Sequence, residues 1–241
     1  IVGPNSVFLR YIEQVLPALG ETAAVLVTPG QLFPGVDAVA EEAPEVAALK
    51  GDLRMADVIH NAVRARQRVP ERPIKLDVGG TDVLLTPDMV SAAKNRARSS
   101  RKPHNEARRY FVLDLLDRLA VALADARGVD ADSQRDLLIS DLRDSVDVRR
   151  EVNLCWMPIT PEQLVADLFA NPARLAAAAA KLTAAEQKLL MRSKGSPWTA
   201  ADVPLLDEAA ENLGEDDEEQ RRLEATMAAE RRREAAYAQQ V

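Results

Sequence analysis

Residues 198–214 read WTAADVPLLDEAAENLG, and the fold turns on what the apolar run at 203–206 does. As a buried strand it would deliver Asp207 and Glu208 at its carboxyl end, as the sheet of an α/β domain does. As the start of a helix, the same two carboxylates would belong to an ordinary acidic face. Pro204 cannot donate to a strand ladder, which speaks against a regular central strand. The chemistry attached to the first reading is specific: nucleotide hydrolases of the P-loop class end a core strand with Asp, which helps hold Mg²⁺, and often follow it with Glu, which accepts a proton from the attacking water. Taken alone, four apolar residues followed by Asp-Glu do not choose between the two.

Upstream, the chain is punctuated as a series of helices. IVGPNSVFLRYIEQVLPALGE, residues 1–21, reads as a strand end, a Gly-Pro-Asn turn and a helix with Phe8, Ile12, Val15, Leu16 and Leu19 on one face. AAVLVTPG, residues 23–30, is a candidate short strand, and 31–44 a connection. The spacing of Leu49, Leu53, Ala56, Ile59 or His60, and Val63 predicts a helix over 45–68. IKLDVGGTDVLLT alternates on both sides of Gly79-Gly80, a hairpin signal. Thr86-Pro87 starts a helix to about Arg98. The longest amphipathic stretch, 105–127, closes at Gly128, and another helix is expected over 132–152. Thr160-Pro161 repeats the helix-start signal, and short helices are expected over 161–170, 172–181 and 184–193. The last is opened by a capping box of Thr183 and Glu186.

The totals agree with a mainly α chain. In 241 residues, hydrophobic side chains make up 47% and aromatics only 4%, a helix-forming mixture able to bury a substantial core. A net charge of -7 argues against a surface that coats nucleic acid throughout. Cys155 is the only cysteine and His60 and His104 the only histidines, so neither a disulfide framework nor a Cys/His zinc site can form within one chain. No apolar run approaches the roughly 20 residues of a membrane span and no signal peptide is apparent. The expectation is a soluble, cytoplasmic protein without membrane contact. The abrupt apolar start predicts a fragment of a longer chain.

Three further stretches carry chemistry. KNRARSSRKPHNEARR places Lys94, Arg96, Arg98, Arg101, Lys102, Arg108 and Arg109 against one acid, Glu106. It reads either as a phosphate-neutralising or partner-contacting surface or as a solvated connection between helices. Few aromatics are interleaved for base stacking. GEDDEEQ supplies Glu215, Asp216, Asp217, Glu218 and Glu219, a cation-binding or nucleic-acid-mimicking run, or a solvated helix start. Cys155, with no His near it in sequence, reads as a buried structural thiol.

Taken together, IVGPNSVFLRYIEQVLPALGE, LKGDLRMADVIHNAVRARQRVP, NLCWMPITPEQL and PWTAADVPLLDEAAENLG resemble the actinobacterial HelD group of superfamily 1, UvrD/Rep-like ATPases that bind RNA polymerase. The resemblance implies that 198–214 is similar to motif II, with Asp207 as Mg²⁺ ligand and nucleotide-site residue and Glu208 as catalytic carboxylate. It implies a mainly α fold: residues 1–28 and 199–214 as flanks of a RecA-like α/β ATPase domain, 29–198 as a helical insertion with a small β-hairpin that docks on core RNA polymerase, and 215–241 as a charged segment. Glu215 to Glu219 would then be a channel-reaching acidic element. ATP hydrolysis in the complete protein would release or recycle stalled polymerase. No Gly-x-x-x-x-Gly-Lys-Ser/Thr loop occurs in the chain, so ATP and Mg²⁺ belong to the complete protein and this chain alone is expected to be inactive. The alternatives are a DNA helicase whose insertion contacts single-stranded DNA through 94–109, and a purely structural helical module.

Overall fold

A Thr or Ser hydroxyl that caps free N–H groups begins a helix at four places: Thr86 for Met89, Ser145 for Val148, Thr160 for Gln163 and Thr183 for Glu186. In three of the four, Pro follows or an acid closes a capping box. The computed structural model describes residues 1–19 and 24–215. It is mainly helical, with eleven α-helices and one two-stranded antiparallel sheet among the described residues. The chain divides into two compact units. One joins Ile1–Ala65 to Thr160–Asn212, and the other joins Arg66–Ile159 to the described residues from Leu213 onward.

The first unit opens on α1 (Ser6–Val15), capped by Asn5, whose Oδ1 accepts from Phe8 N. Val2 and Val27 form a parallel bridge: Gly3 N donates to Val27 O and Val27 N to Ile1 O, both at 3.0 Å. The candidate strand at 23–30 is thus one bridge long. The helix expected over 45–68 is two, α2 (Pro44–Lys50) and α3 (Arg54–Arg64). Gly51 ends the first, and Asp52 Oδ1 accepts from Arg54 N at 2.8 Å to start the second. After the second unit come α8 (Pro161–Ala170), α9 (Pro172–Ala178), α10 (Ala184–Leu190) and α11 (Val203–Leu213). Met55, Val58, Ile59, Leu164, Leu168, Phe169 and Leu206 are among this unit's buried apolar side chains.

A buried ion network joins the 40s to the segment before α11. Asp202 is wholly buried, and its Oδ2 accepts from Thr199 N at 3.0 Å and Arg192 Nη1 at 2.7 Å. Lys50 Nζ lies 2.8 Å from Oδ1 and also pairs with Glu42. Arg192 Nη2 has no hydrogen bond, and the guanidinium carbon sits 4.9 Å from the Trp198 ring centroid and 5.4 Å from that of Phe169. Ala40 N donates to Trp198 O at 3.1 Å, holding the two segments parallel.

The second unit is built on β1 (Ile74–Val78), β2 (Thr81–Leu85), α4 (Pro87–Ser99), α5 (His104–Arg127), α6 (Arg135–Asp144) and α7 (Val146–Cys155). Gly79 and Gly80 both take positive φ, as a two-residue hairpin turn requires, and set Val78 opposite Thr81. Leu76, Val78, Val83 and Leu85 point into one core with Phe111, Leu115, Leu119 and Leu123 of the central α5. The single helix expected over 132–152 is again two. Ser145 interrupts it because its hydroxyl donates to Asp77 O on β1 at 2.7 Å.

Losing the Asp202 charge would leave the buried Lys50 and the half-buried Arg192 against a neutral amide. Asp202→Asn is expected to lower the stability of the first unit by about 3–5 kcal/mol, measured by urea unfolding. Burial disfavours the charged carboxyl, but Lys50, the Thr199 N–H and Arg192 outweigh it and hold Asp202 below its ordinary pKa. This contribution is present above about pH 4 and is lost as pH falls through the depressed folded value, so the acid limb should flatten in the variant.

Candidate functional site

The apolar run 203–206 is helical, not a strand. Buried Val203, Leu206, Ala209 and Leu213 recur at helical spacing, while Pro204, Asp207 and Glu211 face outward. Pro204 sits in the first turn of α11, where its missing N–H costs nothing. The strand-end geometry expected for motif II is therefore replaced by mid-helix positions. Glu208 Oε1 accepts from Asn212 Nδ2 at 2.7 Å, and Asn212 Oδ1 lies 3.0 Å from His60 Nδ1. Its carboxylate is thus turned along its own helix. Asp207 is exposed, and among the described residues no group of three or more His, Cys, Asp or Glu side chains is placed to hold a metal ion. These surroundings do not fit a Mg²⁺–nucleotide centre.

The basic run resolves into fixed and projecting members. Gln67 gathers part of it: Lys94 Nζ donates to its backbone O at 3.2 Å and Arg98 Nε to its Oε1 at 2.7 Å. Lys94 and Arg98 stand four apart on α4, hence on one face. Arg66 and Arg68 flank Gln67 in sequence. Arg108 donates to Trp156 O at 2.9 Å and Asn153 Oδ1 at 2.7 Å. Arg109 lies over the Tyr110 ring, 4.7 Å from its centroid, and Lys102 pairs with Glu106 at 3.3 Å. Arg96 and Arg101 are exposed. Arg101 is the one non-glycine at positive φ (56°) among the described residues, a conformation that costs about 1 kcal/mol.

Beneath this surface, His104 and Trp156 close the unit. Trp156 stacks between His104 and Phe111, with ring centroids 5.2 Å from each, and its Nε1 donates to His104 O at 3.0 Å. Gln67 forms an antiparallel bridge to Trp156, and Arg68 N donates to Cys155 O at 2.8 Å. His104 Nε2 sits 3.0 Å from Met157 O, which assigns its proton to Nε2. Burial, aided by Arg66 and Arg108, pushes His104 down to about 4. Burial and Glu151 push the Cys155 thiol up to about 11, so it is a structural thiol and not a nucleophile.

No family model matches the chain, and no curated protein matches it. Its chemistry is read from these residues alone. Sequence reasoning passed over two groups that organise them. Gln67 and its flanking arginines lay outside the linear run, and Asp202 was given no role. Thr199 with Asp202 three residues on, just before Pro204, was the signal available for a helix start there. Of the acidic run, only Glu215 is a described residue, and it is exposed; Asp216, Asp217, Glu218 and Glu219 lie outside the described residues.

His104 is neutral in the fold, so its contribution is present above about pH 6.5 and declines as pH falls toward about 4. The second unit should lose about 3 kcal/mol across that window, and His104→Gln should flatten this slope in pH-dependent melting. Arg101→Gly is expected to raise stability by up to about 1 kcal/mol, read from the same melting curves.

Proposed function

We propose that the chain is part of a HelD-like superfamily 1 ATPase whose docking insertion, expected over 29–198, narrows to the compact unit that holds Arg66–Ile159 and contacts core RNA polymerase. ATP hydrolysis in the complete protein would then release or recycle stalled polymerase. One observation carries this reading. Residues Arg66–Ile159 have a core of their own and pair their ends through the Gln67–Trp156 bridge, and the chain returns to the same unit at Leu213. A compact unit of this kind is what a docking module needs. The parallel bridge across α1 is compatible with a flank of a RecA-like sheet, because parallel pairing needs a crossover connection. The helical setting of Asp207 and Glu208 speaks against their motif II roles, and the docking reading does not depend on them.

A second reading, a helicase insertion that contacts single-stranded DNA, draws on the exposed heads of Arg96 and Arg101 beside the ordered Lys94 and Arg98. Equilibrium binding of the chain to core RNA polymerase and to single-stranded DNA, at low and near-physiological salt, separates the two. The expected outcome is polymerase binding that survives salt. DNA binding that falls steeply with salt and is lost in an Arg96→Ala, Arg98→Ala, Arg101→Ala variant, without polymerase binding, would replace the first reading by the second.

A further inference from the structure

The two long edges of the hairpin are not alike. We propose that the free edge of β2 takes an extended, basic segment of a partner protein as a third strand. The inference rests on the docking reading and deepens it, because it names the edge and the chemistry of the segment that the edge accepts.

The ladder decides which backbone groups are free. A two-residue turn at Gly79-Gly80, both at positive φ, makes Val78 and Thr81 a hydrogen-bonded pair. Hydrogen-bonded and non-hydrogen-bonded pairs alternate from there. Asp77 and Asp82, and then Lys75 and Leu84, therefore turn their N–H and C=O groups away from the neighbouring strand. On β1 the outward groups of Asp77 are taken: its N donates to Asp147 Oδ2 at 3.1 Å, its O accepts from Ser145 Oγ at 2.7 Å, and α7 packs alongside. On β2 the edge is open. Among the described residues, no hydrogen bond reaches the backbone N or O of Asp82 or Leu84. Two donors and two acceptors stand in a row at strand spacing, which is the template that β-strand addition uses.

The side chains beside that edge choose the occupant. Leu84 is apolar yet 55% exposed, and Asp82, the next residue on the same outward face, has a side chain 64% exposed. Asp82 stands directly across from Asp77, a like-charge pair that costs stability, and Lys75 reaches its Oδ2 at 2.7 Å from the diagonal position. A third strand sets one side chain beside Asp82 and, two residues along, another beside Leu84 on the same face. A cation in the first position offsets the crowding of the two carboxylates, and an apolar side chain in the second covers Leu84. A second copy of this chain does not meet that requirement. Antiparallel pairing of β2 with itself offers Asp82 only Leu84, Thr86 or another Asp82, none of them a cation.

The test uses the whole 241-residue chain and a labelled, end-blocked peptide of sequence Thr-Lys-Thr-Val-Thr-Lys-Thr, read by fluorescence anisotropy. Saturable binding is expected. Leu84→Pro removes an outward N–H without touching the β1–β2 ladder, and it should weaken binding about tenfold with circular dichroism unchanged. Asp82→Lys should also weaken binding and should shift the preference to the peptide with Glu in place of Lys, a reversal that a merely misfolded variant would not show. Absence of saturable binding, equal binding by a folded Leu84→Pro chain, or no reversal with Asp82→Lys overturns the proposal. Self-association of the chain that Leu84→Pro abolishes would seat a second copy on the edge and overturns it as well. Polymerase is absent from these measurements, so a failure here is read separately from a failure of the chain to bind polymerase.

Discussion

The second unit depends on one indole. Trp156 is almost wholly buried, stacked between His104 and Phe111, and its ring N–H is satisfied by the His104 carbonyl. Its backbone pairs with Gln67, so the residue that fills the core also fastens the last stretch of the unit to the first. A large aromatic whose polar edge is bonded loses little on burial and gains apolar area on both faces. The surface above it is arranged by that seat: Arg108 reaches the Trp156 carbonyl, and Gln67 is placed to hold Lys94 and Arg98.

The first unit solves a different problem with charge. Its segments 40–50 and 192–202 lie far apart in the chain and meet through Asp202, which collects a backbone N–H, a guanidinium and an ammonium at one buried carboxylate. Such a cluster adds less net stability than an apolar core of equal volume, but it penalises any packing that leaves one member unpaired. In the second unit, by contrast, the buried titratable group His104 is kept neutral, and the cations remain toward the surface.

Much of the helical layout was legible because its signals are local. Thr86-Pro87, Thr160-Pro161, the Thr183–Glu186 box, Gly79-Gly80 and Gly128 act within a few residues, and each stands where the sequence puts it. The breaks at Gly51-Asp52 and Ser145 were not. Ser145 interrupts its helix through a carbonyl 68 residues away, a partner that periodicity cannot reveal. At 203–206 four apolar residues fit either period, and the helix is decided by the cap before them. The basic run misled in another way: a linear count treats its seven members alike, whereas Gln67, from 27 and 31 residues upstream, selects Lys94 and Arg98.

The clasp between Gln67 and Trp156 also bears on the order in which the chain assembles. The two parts of the first unit are separated by nearly a hundred residues, and bringing distant segments together from an unfolded coil carries an entropy cost that grows with the logarithm of the intervening length. Once the inserted module has formed and its ends are fastened side by side, that long loop behaves as a short one. A substitution that loosens Trp156 should therefore slow the folding of the discontinuous unit as well as weaken its own.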